Sequence, residues 1–255
     1  MSNDETARSA PRRHLPLWLE TVLLLAVALL VSVLIKTFFA QVFYVPSQSM
    51  EPGLVKNDRI LVEKPSYWFG GTPQRGDVVV FSDPGQWLTA EEDAGPTSVL
   101  GKALVKIGLY PAGGHLVKRV VGVAGDTVTC CDSQGRISVN GQPLDEDSYL
   151  RSPKSLKCNG PEVDGCTKDW TAGPVPAGEL FVLGDNRSDS ADSAYHLCHP
   201  RAAYCGRGGP FVPVSDVVGR VEALLWPAGR FHVLHRPADF ASVPPSSPAA
   251  SSTSR

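Results

Sequence analysis

Apolar residues crowd the start of the chain and then thin into short runs with a period near two. Positions 15–35 are mostly apolar and carry no charge except Glu20, with Lys36 directly after them. That length suits the roughly 20 residues a helix needs to cross a bilayer. A carboxylate near one end and a lysine at the other can reach the two interfaces. A removable secretion signal is the alternative, with an apolar core of about 7–15 residues and a small-x-small cleavage site. Here Ala26-Val27-Ala28 lies inside the apolar run, and Ala40 is preceded two places earlier by Phe38. The pattern predicts a retained anchor over 15–39, and no second run of this length follows.

Beyond the anchor, residues 59–63, 77–81, 116–123, 137–140, 180–183 and 217–225 are short stretches rich in β-branched or aromatic side chains, punctuated by Gly, Pro, Asn and Asp. Asn140-Gly141 is a strong hairpin-turn signal. The fold class predicted is mostly β: a single N-terminal transmembrane helix, then a curled multi-sheet β domain over 40–237. Residues 127–178 carry four cysteines and many turn formers, which predicts an inserted smaller subdomain. Residues 86–114 read as a second, Gly-rich insertion. The polar segment 1–14 and the Ser/Pro/Ala-rich segment 238–255 read as disordered tails.

Composition narrows the partners. The 255 residues include 24 Lys+Arg and 26 Asp+Glu, a formal net charge of −2, with no basic stripe interleaved with aromatics. Nothing here suggests a nucleic-acid surface, so none is expected as a partner. Arg8, Arg12 and Arg13 before the anchor favour a cytoplasmic N-terminus, which puts the remainder outside. All six cysteines (Cys130, Cys131, Cys158, Cys166, Cys198, Cys205) follow the anchor, as suits an oxidising compartment. Cys158 with Cys166 and Cys198 with Cys205 are near enough for local loops, but spacing leaves the pairing open.

The candidate chemistry begins at Tyr44-Val-Pro-Ser-Gln-Ser-Met-Glu-Pro-Gly-Leu54, where Ser49 lies soon after the anchor. A serine hydroxyl is a weak nucleophile until a base takes its proton. Lysine serves only when neutral, and burial among apolar groups disfavours its ammonium form. On a strand, Leu116, Lys118 and Val120 share one face and Val117, Arg119 and Val121 the other, so Lys118 has aliphatic neighbours. A lysine snorkelling from an edge strand is the bland alternative. Lys102 and Lys106 are rival bases without a clear strand face. Ser47, two residues before Ser49, can present its hydroxyl beside the backbone N–H of Ser49 to an oxyanion. The segment 183–193, dense in Asp, Asn and Ser, is a poor calcium loop: starts at Asp185 or Asp189 put Arg187 or Ala191 at the third ligand position. It reads better as a polar turn that orients the lysine. His196, Cys198, His199 and Cys205 have zinc-like spacing, but a local disulfide and two surface histidines are the favoured reading outside the cell.

Taken together these segments resemble the bacterial type I signal peptidases, membrane-anchored Ser/Lys endopeptidases. Pro46-Ser-Gln-Ser-Met-Glu-Pro52, Arg75-Gly-Asp-Val78, Val117-Lys-Arg-Val-Val-Gly122 and Gly184-Asp-Asn-Arg187 with Ser190 and Asp192-Ser193 match the family's motifs in order. The resemblance implies that Ser49 is the nucleophile and Lys118 the general base. It implies that Ser47 supplies an oxyanion donor and Ser190 a hydrogen bond to the lysine, with Asp185 and Asp192 as acidic supports. Phe43, Val45, Pro46, Leu54, Leu116 and Val117 then line shallow substrate pockets for small side chains one and three residues before the cut. The substrates implied are preproteins with signal peptides, met at the lipid bilayer of a bacterial cell membrane, and no metal or organic cofactor is implied.

The chain departs from the family pattern at three motif positions, and the long stretch from His196 to Gly209 looks like an insertion containing two cysteines. Gly53 replaces a common threonine, and Ser188-Asp189 replaces an acidic-Asn pair. Ala194 stands where many members have an arginine paired with the site aspartate, which makes Arg187 a candidate partner for Asp192. Two rivals stay open: a Ser-His-Asp hydrolase using His115, His196 or His232, though no Gly-x-Ser-x-Gly surrounds Ser49, and a silent membrane-tethered module that binds extended peptides.

Overall fold

The structure, a computed structural model, describes residues 16–35, 39–68, 70–85, 87–88, 98, 113–150, 170–197 and 209–246. The apolar run forms helix α1 (Leu17–Leu34), 18 residues and so about 27 Å long. Glu20 lies in its first turn, where backbone N–H dipoles favour a carboxylate. None of its side chains is buried by the rest of the chain. A helix so apolar and so uncovered fits a membrane anchor. Lys36 lies outside the described residues.

Twelve strands follow among the described residues. They are β1 (Ala40–Tyr44), β2 (Arg59–Glu63), β3 (Val78–Ser82), β4 (His115–Gly122), β5 (Val128–Cys130), β6 (Ser138–Val139), β7 (Gln142–Pro143), β8 (Trp170–Ala172), β9 (Glu179–Leu183), β10 (Val212–Pro213), β11 (Val217–Trp226) and β12 (His232–Val233). The larger sheet runs β1-β2-β11-β3-β4-β9-β10, with β12 on the other part of β11. The smaller runs β7-β6-β5-β8, and every pairing is antiparallel. Register shifts in β11 between Val221 and Ala223 and between Leu224 and Trp226 are the irregularities that let a long strand curl. The mostly β class is as predicted, and each predicted run contains a strand. Asn140 and Gly141 both have positive φ, 51° and 81°, the backbone a tight β6–β7 hairpin needs. Strand β1 was not among the predicted runs.

Strand β4 lies between β3 and β9 and contributes to all three apolar clusters. Leu116 and Val120 pack with Val79, Phe81, Trp87 and Val182. Val117 packs with Phe43, Val45 and Ile60, and Val121 with Val128, Ile137 and Phe181. Alternation therefore holds as expected, but both faces of the strand are covered. That excludes the edge-strand position in which a lysine would snorkel to water.

The folded part extends past 237, where the composition suggested a disordered tail. Ala238–Ser242 forms a 3-10 turn, and Phe240 and Val243 are buried in the cluster under the small sheet. Arg236 is tied by its Nε to Asp77 Oδ1 at 2.5 Å. Two apolar side chains in a Ser/Pro-rich segment are enough to hold it, since burying each is worth about 1.5–3 kcal/mol. Phe240→Ala is accordingly expected to cost about 3 kcal/mol of unfolding free energy, read by thermal unfolding in detergent. An unchanged midpoint would restore the tail reading.

Candidate active site

The turn that carries Ser49 is closed from below. Val45 N–H donates to Asp58 O at 2.9 Å and Asn57 N–H to Val45 O at 2.9 Å, continuing the β1–β2 ladder. Asp58 caps the loop by accepting from Val55 N–H at 2.7 Å and is itself gripped by Arg230. Met50 and Leu54 point into the core. Between these fixed points Ser49 is 4% exposed, and its Oγ lies 3.0 Å from Ser47 Oγ.

Lys118 is 3% exposed in the middle of β4, opposite Val79. The chain leaving neighbouring β9 turns at Gly184 and comes back along it: Ser193 N–H donates to Val182 O and Val182 N–H to Ser193 Oγ. This return brings Ser190 and Asp192 beside the turn that carries Ser49. Ser190 Oγ donates to Asp192 Oδ2 at 2.6 Å, and the same carboxylate accepts from the N–H groups of Gly184 (2.9 Å) and Ala194 (3.0 Å). Asn186 then stitches the two turns together, its N–H on Ser49 O at 2.9 Å and its Nδ2 on Gln48 O at 3.1 Å. A Cβ on Gly184 would lie 2.3 Å from Ser190 Oγ and 2.5 Å from Ser49 O, so only glycine lets the turns meet.

The charged groups behind this arrangement are paired. Asp185 accepts from Arg119 Nε and Nη2 at 2.8 and 2.7 Å. Arg187 does not reach Asp192 as expected. Its Nη1 and Nη2 donate to Glu146 at 3.1 and 2.6 Å, and its Nε to Gly184 O at 3.0 Å. Burial opposes the charge on both arginines, and the carboxylate each one meets more than offsets it, so both pKa values stay raised. Asp192 has no need of a cation because two amides and a hydroxyl already satisfy it.

Ser47, Ser49 and Lys118 line one cleft of about 360 Å³ with Pro46, Leu116, Val117, Trp87 and Asp189. Of the six expected substrate-contact residues, Pro46, Leu116 and Val117 lie on its wall. Phe43, Val45 and Leu54 are buried in the cluster that also takes in Val117. The histidines do not form a triad. His115 Nδ1 meets Gly113 O, His196 Nδ1 meets Asp192 O and His232 Nδ1 meets Arg230 O. A triad base needs a carboxylate at that nitrogen. His196 is buried and stacked on Trp87 at 4.4 Å rather than on the surface. Lys102, Lys106, Cys158, Cys166, Cys198, His199 and Cys205 lie outside the described residues, while Cys130 and Cys131 are joined to each other.

A family profile described as "Signal peptidase, peptidase S26" matches residues 18–226. The chain belongs to this family. It is 37% identical over 246 residues to a probable signal peptidase I of Mycobacterium leprae, covering 88% of this chain and 81% of that protein. It is 36% identical over 230 residues to signal peptidase I of Mycobacterium tuberculosis (84% and 74%). Identity is 32% over 236 residues to signal peptidase I of Leptolyngbya laminosa (92% and 93%). A crystal structure of a signal peptidase I from Enterococcus faecalis matches 58% of this chain and 96% of its own at 23% identity, with a TM-score of 0.31, too low for its geometry to inform this one. Membership makes the chain a serine endopeptidase of the signal peptidase class.

Within this signal peptidase fold the unusual Gly53 has no steric cause. A Cβ there would meet nothing nearer than Met50 O at 3.8 Å. Gly53→Ala is expected to leave cleavage unchanged and to shift stability by less than about 1 kcal/mol. Gly184→Ala is expected to lower kcat about a hundred-fold by prising the two turns apart. Equal activity of both variants in a preprotein cleavage assay would contradict this packing.

His196 adds a pH dependence. Burial lowers its pKa below the ordinary 6.5, against opposing help from Asp192 and Asp83. The unfolded chain therefore binds more protons in that window, and stability falls as pH drops below about 6.5. His196→Phe is expected to lose less stability than the parent between pH 7.5 and 5, measured by thermal unfolding. An identical loss in both would contradict it.

Proposed function

We propose that the chain is a signal peptidase I that cleaves N-terminal signal peptides from exported preproteins with a Ser49/Lys118 dyad. The observation that carries this reading is the shared cleft: both side chains lie on its wall with the Ser47 hydroxyl 3.0 Å from the nucleophile. Neutral Lys118 takes the Ser49 proton as Oγ bonds to the peptide carbonyl carbon. Ser47 O–H and the Ser49 N–H donate to the resulting oxyanion. The C–N bond then breaks, the Lys118 ammonium returns the proton to the departing amine, and an ester to Ser49 remains. Water, deprotonated by Lys118, attacks the ester, releasing the signal peptide acid and restoring the Ser49 hydroxyl. The cycle starts from the neutral amine, and Lys118 lies buried in the middle of β4.

Ser190, fixed by Asp192, orients the lysine amine, and Asp185 supports the strand through Arg119. The substrate binds as an extended strand, with backbone hydrogen bonds supplying affinity. Pro46, Leu116 and Val117, backed by Phe43, Val45 and Leu54, restrict the side chains accepted before the cut to small ones. Residues 1–14 face the cytoplasm, 15–39 anchor the chain in the bilayer, and the peptidase domain from residue 40 works on the outer side, where the cleavage region of a signal peptide emerges.

The test is a purified preprotein incubated with the full chain in detergent. Ser49→Ala and Lys118→Ala are each expected to lower kcat/KM by at least about a thousand-fold. N-terminal sequencing of the parent's product is expected to show small residues one and three places before the cut. Cleavage by the Lys118→Ala variant at the parent's rate would remove the dyad.

A further inference from the structure

The smaller sheet reaches the active site through one short turn, residues 146–150, which follows β7. The turn is closed by Tyr149 N–H and Leu150 N–H on Glu146 O, at 3.2 and 3.1 Å. It touches the machinery at three points. Leu150 forms a β-bridge with Pro52, three residues after Ser49. The Tyr149 ring lies 4.2 Å beneath the guanidinium of Arg119, the residue after Lys118. Glu146, 3% exposed, takes both terminal nitrogens of Arg187, whose Nε holds Gly184 O.

We infer that Glu146 is a positioning residue for the dyad, acting through Arg187 and Gly184 on Asp192 and Ser190. The inference rests on the Ser49/Lys118 reading above. The physical link is continuous. Gly184 is pinned at its carbonyl by Arg187 and at its N–H by Asp192 Oδ2, which in turn accepts from Ser190 Oγ. The Gly184 Cα faces Ser190 Oγ and Ser49 O so closely that no side chain fits between them. A shift of the Gly184 peptide therefore moves both serines. What prevents that shift is the Arg187 guanidinium, and what holds the guanidinium planar against Gly184 O is the two-pronged bond to Glu146. The Tyr149 hydroxyl completes the carboxylate's shell by donating to Glu146 Oε1 at 2.5 Å. Burial and the Glu146 charge keep that phenol protonated, so it remains a donor. Glu146 touches neither the cleft wall nor the nucleophile, so its effect belongs to kcat rather than to substrate affinity.

The experiment compares Glu146→Gln, Arg187→Lys, their double variant and Tyr149→Phe with the parent and with Ser49→Ala, using the full chain in detergent. Glu146→Gln keeps the size of the side chain and one acceptor but removes the charge, while Arg187→Lys cannot hold Glu146 and Gly184 O together. Each is expected to lower kcat about ten-fold with KM within about two-fold of the parent. The double variant is expected to be no worse than the poorer single one, as residues in one chain of contacts should be. Should the charge variants fail to fold, Tyr149→Phe decides, with an expected loss of about three-fold in kcat at near-parental stability.

Lowered melting temperature with parental kcat would assign Glu146 to stability alone and overturn the inference. So would a raised KM at constant kcat, or strictly multiplicative losses in the double variant. Undiminished cleavage by Ser49→Ala would instead strike the dyad itself, a result separable from all of these.

Discussion

A lysine in the middle of a strand covered on both faces is the constraint around which the part of this molecule that carries Ser49 is arranged. Burying an ionisable group is costly unless its surroundings settle its charge. Here β3 and β9 flank the strand, and three apolar clusters meet along it. Three carboxylates of this region have partners of their own: Asp185 binds Arg119, Glu146 binds Arg187, and Asp192 binds amides and a hydroxyl. The polar groups of the site are held by one another, so each keeps its place without drawing on the substrate.

The two segments with the strongest local signals were the most legible in the sequence. Ser49 sits in a Pro/Ser/Gly turn whose chemistry is local, and Lys118 stands in an apolar run whose alternation can be counted by eye. Long-range partners were not legible. The lack of an arginine at 194 made Arg187, five residues from Asp192, its candidate partner, but the 3-10 turn Arg187–Asp189 accompanies a side chain bound to an acid 41 residues away. That acid is the middle member of Asp145-Glu146-Asp147, three acidic residues in a row that lie in none of the motifs singled out in the sequence. Only the fold shows that Glu146 is buried while its two neighbours are exposed.

The same reasoning explains the boundary missed near residue 237. Composition averages over a window, and the Pro, Ser and Ala of the last stretch outnumber Phe240 and Val243. Burial depends on single side chains, and these two find a pocket under the small sheet. His196 was misplaced for a similar reason. Its sequence neighbourhood holds two cysteines and a second histidine, but its ring lies flat on Trp87, far earlier in the chain.

Asp192 has a consequence of a different kind. Its carboxylate is held by peptide N–H groups and a neighbouring hydroxyl, all fixed by backbone that the sheet itself sets. An exposed ion pair in place of these bonds would be open to mobile counterions, which screen charges beyond a Debye length of about 8 Å in physiological salt. Buried amide dipoles are screened far less. The Asp192 carboxylate is thereby insulated from the ionic strength of the surrounding medium.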